Sequence, residues 1–323
     1  MRLDLYADLA GQSKCPATAE LPAGLAGGFV DGCTAWFAQG ELETNQKAGN
    51  RKKDDARDCY MKRAVSGDLL PQAVAELIEP PLNPPQPGWL VVEVTFTLQT
   101  PWYSKDDRPF HVLDNPVRKD RVFGVPFMSA ASWKGLLRWS MGMTTGLIGP
   151  NPITDSNERK KADAAVVHLF GNERDAAEHF QRGALVFYPT WFSRVSFEVI
   201  NPHSRTTRAG TQPIYYEVVP ARYEENGEMV GTHAKLRLLY APFPRQAARD
   251  GVEPQEALPQ LLDAVEKLLT VYGFSAKRTA GWGLASIDDR GWGLRSHRKS
   301  RRASREGVEE ALSDLLEPEE EKA

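Results

Sequence analysis

The 323-residue sequence predicts an α+β fold whose strands and helices follow one another in the order βαββαβ. Apolar residues alternate with polar ones in several short segments, which is typical of half-buried strands. In two longer segments they recur every three or four residues, which is typical of helices packed on a core. One sheet that carries both helices on the same face accounts for both patterns.

The first strand is predicted over residues 89–98, where β-branched and aromatic residues alternate with polar ones. A helix is predicted over residues 129–143, because Ser129 can cap its first turn and the apolar residues after it share one face. A second helix is predicted over residues 258–272. The other strand candidates are residues 184–188, 195–199, 214–219, 234–240 and 281–287. Without the inserts, this order is that of a ferredoxin-like (RRM-like) core.

Composition divides the chain into three segments. Residues 1–87 are expected to form an irregular amino-terminal extension that ends in a stiff, proline-rich stretch. Residues 88–290 carry the βαββαβ core with long loop insertions, one of them a polar, proline-rich insert at residues 149–163. Residues 291–323 form a charged tail that is expected to be mobile.

Charge and cysteine content limit the classes of function. The net charge of −3 argues against a uniformly basic nucleic-acid-binding protein, so any such surface must be local. The three cysteines (Cys15, Cys33 and Cys59) lack a C-x-x-C spacing, which favours reduced thiols over a disulfide framework or a zinc site. No apolar stretch is long enough to cross a bilayer, so we expect a cytoplasmic protein without membrane partners.

The start of the first predicted helix is a candidate phosphate-binding surface. Lys134 and Arg138 are four residues apart and therefore lie on one helix face. The hydroxyls of Ser129 and Ser132 and the free amides of the first turn add further donors. The alternative is a well-capped helix with a solvated face.

Residues 273–283 form a glycine-rich segment between the second helix and the last strand. Lys277, Arg278 and Thr279 supply cationic and hydroxyl donors, while Gly281 and Gly283 let another backbone approach closely. The segment lacks the G-K-[ST] ending of a nucleotide-binding P-loop. It predicts a cradle for an RNA backbone, with a plain flexible turn as the alternative.

A third polar segment, residues 201–212, is expected to project as a hairpin. Arg205 and Arg208 are candidates for phosphate contacts. The tyrosines that follow, Tyr215 and Tyr216, are able either to stack on bases or to pack in the core.

These segments resemble a known family. Asp114-Asn-Pro-Val-Arg-Lys-Asp120, continuing to Ser132-Trp-Lys-Gly135 and Arg138, is similar to the signature of the RAMP superfamily of CRISPR proteins. The nearest likeness is to backbone subunits of type III (Csm and Cmr) effector complexes. His168-Leu-Phe-Gly171 resembles the short L-F-G element of that family, and residues 277–283 resemble its closing glycine-rich loop.

The resemblance implies a subunit that binds guide RNA (crRNA) and stacks with neighbouring RAMP proteins and other effector subunits. It also implies that Asp114 is catalytic and a metal ligand, supporting Mg²⁺-dependent cleavage of target RNA. Asp106, Asp107 and Asp120 are second choices for this role. The alternative for Asp114 is a turn former in an Asp-Asn-Pro sequence.

Two alternative functions stay open at this stage. The first is a structural subunit that binds RNA and neighbouring subunits but cuts nothing. The second is a lone endoribonuclease that processes guide RNA, which needs a histidine or a Tyr/Lys pair beside the glycine-rich loop. That segment contains no histidine, so this alternative ranks last.

Overall fold

The computed structural model describes residues 32–65, 67–107, 111–172, 180–202, 206, 210 and 213–316. These residues fall into two compact units. The loop unit consists of the described residues of Met1–Pro80, Pro101–Phe127 and Trp191–Thr232. The sheet unit consists of those of Pro81–Thr100, Met128–Thr190 and His233–Ala323.

The helices and strands are numbered in chain order. The described helices are α1 Gly32–Leu42, α2 Gln46–Ala64, α3 Gln72–Ile78, α4 Ala130–Thr144, α5 Ser156–Phe170, α6 Gln246–Asp250, α7 Pro254–Lys267 and α8 Val308–Leu316. The described strands are β1 Leu90–Leu98, β2 Phe127–Met128, β3 Leu185–Phe187, β4 Thr190–Trp191, β5 Ser196–Ile200, β6 Ile214–Val218, β7 Arg222–Glu225, β8 Glu228–Gly231, β9 His233–Tyr240, β10 Ala285–Arg295 and β11 Ser300–Ala303. A π-helical turn, Leu268–Tyr272, continues α7, and a 3₁₀ turn spans Arg278–Ala280.

The sheet unit contains an antiparallel sheet with the strand order β11-β10-β1-β9-β3. Strands β1, β3, β9 and β10 are the first, second, third and fourth strands of a βαββαβ unit, and they lie side by side in the order fourth, first, third and second. Strand β11 extends the sheet at the edge beside β10. Helix α4 lies in the first crossover and α7 in the second, and the two helices pack against each other. The α+β, ferredoxin-like fold expected from the sequence is therefore confirmed.

The core of this unit follows from the two-residue period of β1. Val92, Val94 and Phe96 point to one face of the sheet and are buried there. Trp133 of α4 reaches the same core, where its ring stacks on that of Phe274 with 5.1 Å between centroids. Full burial of a valine or phenylalanine side chain, as in β1, stabilises the fold by about 1.5–3 kcal/mol. The first predicted helix thus packs through the face that the sequence indicated.

Helix α5 was not predicted, because its first half is polar and reads as part of an insert. The Asp155 carboxylate caps it by accepting N–H bonds from Asn157 (2.8 Å) and Glu158 (2.9 Å). Its last turns bury Val166 and Leu169. The polar residues from Ser156 onward in the 149–163 insert therefore belong to a helix, where a loop insertion was expected.

Both ends of the chain are more regular than expected. The extension expected to be irregular contains helices α1, α2 and α3. The tail expected to be mobile contains β11, which pairs with β10, and α8, which buries Val308 and Leu312. Strand β10 also starts later than the glycine-led strand of the prediction and runs to Arg295. The division of the chain at residues 87 and 290 stays a prediction.

In the loop unit, α1 and α2 pack around Cys33, Trp36, Ala56 and Tyr60. Cys33 is buried and Cys59 is half-buried; Cys15 lies outside the described residues. Strands β5 and β6 form an antiparallel hairpin on either side of the third polar segment. No helix in the described ranges is long and apolar enough to span a membrane.

Candidate nucleic-acid interface

The two serines at the start of α4 are part of its cap. The Ser132 N–H donates to Ser129 Oγ at 3.2 Å, and the two hydroxyl oxygens lie 2.9 Å apart. Each hydroxyl has one proton, and the bond between them uses one of the two. One hydroxyl proton of the pair is therefore left to donate to a ligand.

The two cations of α4 differ in their surroundings. Lys134 is exposed, and its ammonium has no partner among the residues that the structure describes. Arg138 is half-buried and donates from Nη1 to the Gly171 carbonyl at 3.2 Å. A guanidinium has five N–H donors, so this bond orients Arg138 and leaves donors for another group. Both residues therefore retain donors for an anion.

The carbonyl that holds Arg138 belongs to the L-F-G element. Gly171 has a φ of 82°, and a Cβ there would lie 2.8 Å from the Gln181 carbonyl oxygen. A Cβ on Gly183 would lie 2.4 Å from the Phe170 carbonyl carbon. Only glycine permits this close approach of two chain segments. The element is thus a packing device that positions Arg138.

His168, the first residue of the element, is fully buried in the sheet unit. Its Nδ1 lies 2.8 Å from Asp250 Oδ2 and its Nε2 lies 2.9 Å from the Tyr240 hydroxyl. Burial alone would raise the pKa of Asp250, but hydrogen bonds from His168, Arg249 and Gln181 outweigh it and lower that pKa. Burial, together with the charge of Asp250, raises the pKa of Tyr240 to about 12. The histidine therefore anchors α5 to the sheet.

The glycine-rich loop is held by its own backbone. The N–H groups of Ala280 and Gly281 donate to the carbonyls of Lys277 and Arg278, both at 2.9 Å. Gly283 has a φ of 85°, and a Cβ there would lie 2.4 Å from the Ser275 nitrogen. Gly281 is exposed, and a Cβ there would meet nothing within 4 Å. Gly283 is therefore required for packing, whereas Gly281 leaves the loop open to an approaching backbone.

The loop and α4 are neighbours within the sheet unit. The Arg278 guanidinium lies over the Trp139 ring, 4.7 Å from its centroid. The Tyr272 ring meets the same indole edge-on at 5.1 Å. Thr279 is exposed and Lys277 is half-buried. The fold thus brings together two segments, separated by more than a hundred residues, that were predicted to bind RNA.

Asp114 lies in the loop unit. Its side chain is exposed and has no hydrogen-bond or ion-pair partner among the described residues. The residue after it is tied to β6, because Asn115 Nδ2 donates to the Tyr215 carbonyl at 3.1 Å. The Glu217 N–H donates in turn to the Asn115 carbonyl at 3.0 Å. An unpaired carboxylate therefore stands next to a fixed backbone.

A buried network closes the same loop. Lys119 Nζ forms an ion pair with Glu217 Oε1, and both side chains are almost fully buried. The Tyr60 hydroxyl lies 2.7 Å from the same carboxylate oxygen and 2.6 Å from Lys119 Nζ. The second oxygen, Oε2, accepts the Val117 N–H at 3.0 Å. We call these three side chains, Tyr60, Lys119 and Glu217, the buried triad.

The other side of the loop is held by apolar contacts. Val112 is buried in the core that α1 and α2 form, and Leu113 packs against that core. The segment carrying Asp114 is therefore anchored on both sides. Tyr60 and Glu217 were not predicted as site residues, because nothing in the sequence around them indicates a special role. Lys119, the third member of the buried triad, belongs to the RAMP-like signature, but the sequence does not predict that its side chain is buried.

The second-choice carboxylates all have partners. Asp120 Oδ1 accepts the N–H groups of Val122 and Phe123, both at 2.8 Å, and so forms a turn. Asp107 lies 3.6 Å from the Arg118 guanidinium. Asp106 is buried and accepts the Lys119 N–H at 3.5 Å. Of these four candidates, Asp114 is therefore the one whose carboxylate has no partner among the described residues and is open to a ligand.

The described residues do not build a metal cage, since no group of three or more His, Cys, Asp or Glu side chains converges among them. Mg²⁺ is often held by one or two carboxylates, with water and substrate phosphates supplying the other ligands. Asp114 fits that manner of binding as a single protein ligand.

The tyrosines that follow the third polar segment both lie in β6. Tyr216 is buried and its ring meets that of Tyr103 at 5.1 Å, so it packs rather than stacks on a base. Burial raises the pKa of Tyr103, and the charges of Tyr216, Glu217 and Asp106 raise it further. Tyr215 is exposed. Arg205 and Arg208 lie outside the described residues, and their role stays a prediction.

Comparison with known proteins gives one family and a set of solved structures. The family model described as the RAMP superfamily matches residues 95–286. A chain of the type III-B Cmr-beta bound to cognate target RNA is 13% identical, with a TM-score of 0.46, covering 83% of this chain and 81% of that one. A chain of the Csm3-Csm4 subcomplex of the type III-A CRISPR-Cas interference complex is 15% identical, with a TM-score of 0.42, covering 72% and 98%. No curated protein matches.

Proposed function

This chain belongs to the RAMP superfamily, and on that premise we propose that it is a guide-RNA-binding subunit of a type III CRISPR interference complex. The observation that carries the proposal is the contact between the glycine-rich loop and α4, in which Arg278 lies over Trp139. That contact places the two segments predicted to bind RNA beside each other. The partners are the crRNA, the target RNA and neighbouring effector subunits.

The chemistry of the surface suits a phosphate backbone. Exposed cations attract phosphates without reading sequence, and backbone N–H groups and hydroxyls position them. Lys134 presents an unpaired ammonium, and the open side of Gly281 allows close approach. A subunit that holds any guide sequence requires contacts of this sequence-independent kind.

The experiment is the salt dependence of single-stranded RNA binding by the full chain. Lys134→Ala should lower affinity for all sequences and reduce the salt slope by about 0.7, the value for one phosphate contact on a single strand. Lys161→Ala is the matched control, because it removes an exposed lysine from α5. An unchanged slope for Lys134→Ala, or an equal change in the control, would contradict the proposal.

We further propose that the subunit slices target RNA through Asp114. The exposed carboxylate can accept the proton of a 2′-hydroxyl as its oxygen attacks the adjacent phosphorus. The new O2′–P bond replaces the P–O5′ bond, which leaves a 2′,3′-cyclic phosphate, and the departing 5′-oxygen takes a proton from water. Mg²⁺, when bound through Asp114 and the RNA, would stabilise the negative charge that develops on the phosphate. The anchored loop holds the carboxylate in place, which lowers the entropic cost of alignment.

The test is cleavage of complementary RNA by the reconstituted complex in Mg²⁺. Asp114→Asn should abolish the specific cuts while assembly and guide binding stay unchanged. Asp107→Asn is the control, because Asp107 is a nearby exposed carboxylate that already pairs with Arg118 and Arg121.

A structural subunit without cleavage activity is the second candidate. It is favoured by the single, unclustered carboxylate, since the described residues converge on no metal site of three ligands. Cuts that persist at the same positions in the Asp114→Asn complex would establish this function and move the nuclease to another subunit.

A further inference from the structure

The face of the sheet away from the core is polar and exposed near the glycine-rich loop. Thr97 of β1 lies opposite His233 of β9 and Ser286 of β10, and all three belong to this face because their neighbours along each strand point into the core. The His233 side chain is 60% exposed. Phe96, Ala234 and Ala285 on the core side are buried. His233 and Ser286 on the opposite face are exposed, so this end of that face is open to a ligand.

Three side chains on three adjacent strands form a hydrogen-bonded cluster there. Thr97 Oγ1 donates to Asp288 Oδ1 at 2.7 Å. His233 Nδ1 lies 2.8 Å from the same Thr97 oxygen and 3.5 Å from Asp288 Oδ2. The Asp288 side chain is 27% exposed and is therefore less accessible to solvent than that of His233.

This arrangement determines the tautomer of His233. A threonine hydroxyl has one proton, and Thr97 gives it to the carboxylate, which only accepts. The hydrogen bond between Thr97 and His233 therefore requires a proton on Nδ1. In the neutral ring Nε2 is then a bare acceptor, and on protonation it becomes a donor while the Nδ1 contacts stay intact.

We propose that His233 is an RNA phosphate contact that is switched on by protonation, with Thr97 and Asp288 as positioning residues. The inference rests on the proposed RNA-binding function and adds a site on the open sheet face. The ligand is a phosphodiester oxygen, which accepts from the imidazolium Nε2–H in a charge-assisted hydrogen bond.

The charged groups around the ring support this assignment. Asp288 faces it from β10, with its Oδ2 3.5 Å from His233 Nδ1. β1 contributes the uncharged Thr95 and Thr97 to this end of the face. Lys235, two residues along β9 and also exposed, adds a second cation on the same face.

The experiment measures the affinity of the full chain for unstructured single-stranded RNA at about pH 5.5 and about pH 8, which bracket the range in which histidines change charge. The unmodified chain should bind more tightly at the lower pH. In His233→Gln this gain should be smaller by about threefold to tenfold, the contribution of one charge-assisted contact. The salt slope of the unmodified chain at low pH should also be steeper than that of the variant by about 0.7.

Two further variants test the site. His297→Gln is the matched control, because His297 is an exposed histidine whose Nδ1 lies 3.2 Å from the Pro84 carbonyl, outside the cluster; it should retain the full response to pH. His233→Lys should bind as tightly at the higher pH as at the lower, because its charge is permanent in this range.

An equal pH response in His233→Gln and the unmodified chain would overturn the inference and leave the proposed function standing. Failure of the unmodified chain to bind RNA at either pH would overturn both.

Discussion

The two halves of the RAMP signature differ in how they use their charged residues. In the loop unit, the Lys119 ammonium is buried against Glu217 and Tyr60, and it stabilises the segment that carries Asp114. In the sheet unit, the Lys134 ammonium is exposed and has no partner among the described residues. Two lysines of the same motif thus differ in their surroundings: Lys119 builds the fold, and Lys134 is the one that we propose to bind RNA.

The largest expected change in stability comes from breaking the buried triad. Lys119→Met leaves the Glu217 carboxylate buried without its counter-ion, so we expect the free energy of unfolding to fall by about 3–5 kcal/mol. Lys134→Met changes only a solvated side chain and should alter it by less than about 0.5 kcal/mol. Urea denaturation of both variants measures the difference.

A double variant separates the loss of the ion pair from the loss of packing. Lys119→Met with Glu217→Gln removes the uncompensated charge and keeps an acceptor for the Val117 N–H. It should therefore recover most of the stability lost in the single variant. Equal stability of Lys119→Met and Lys134→Met would show that the triad does not hold the loop.

The next effect concerns the two glycines of the glycine-rich loop, Gly281 and Gly283. Gly281→Ala places a Cβ in open space but on a left-handed backbone, which costs about 1–2 kcal/mol. Gly283→Ala adds a collision with Ser275, so its total cost should be about 2–5 kcal/mol. Thermal unfolding of the pair checks the order, and equal costs would contradict the packing role of Gly283.

A smaller loss of stability is expected in the basic run near the carboxyl end. Arg305 forms ion pairs with Asp263, Glu266 and Glu309. Burial would lower the pKa of Arg305, but these carboxylates outweigh it and raise that pKa. Arg305→Ala should cost about 1 kcal/mol, because the network is partly exposed.

RNA binding by the same variant extends the comparison to the basic tail. The positive charge of Arg305 is already neutralised, so its removal should leave RNA affinity and the salt slope unchanged. A loss equal to that of Lys134→Ala would show that the tail binds RNA as well.

The elements that the sequence predicted correctly depend on local patterns. The Ser129 cap, the apolar face of α4 and the alternation of β1 each lie within a few neighbouring residues, and the βαββαβ order follows from them. Helix α5 escaped prediction because its polar first half masks the apolar spacing of its end.

The parts that escaped prediction depend on contacts between distant residues. Lys119 and Glu217 are 98 positions apart, and Tyr60 and Glu217 are 157 apart. The cluster of His233, Thr97 and Asp288 joins three strands in the same way. Side chains that meet only after folding leave no periodic signal. The basic run was likewise expected to be mobile, because its acidic partners on α7 lie elsewhere in the sequence.

The most direct measurement is photo-crosslinking of bound guide RNA to the full chain, with the attached peptides identified by mass spectrometry. The proposed interface predicts crosslinks within residues 129–139 and 274–283, and their loss in competition with unlabelled RNA. Crosslinks confined to residues 295–305, with none in α4 or the glycine-rich loop, would contradict it.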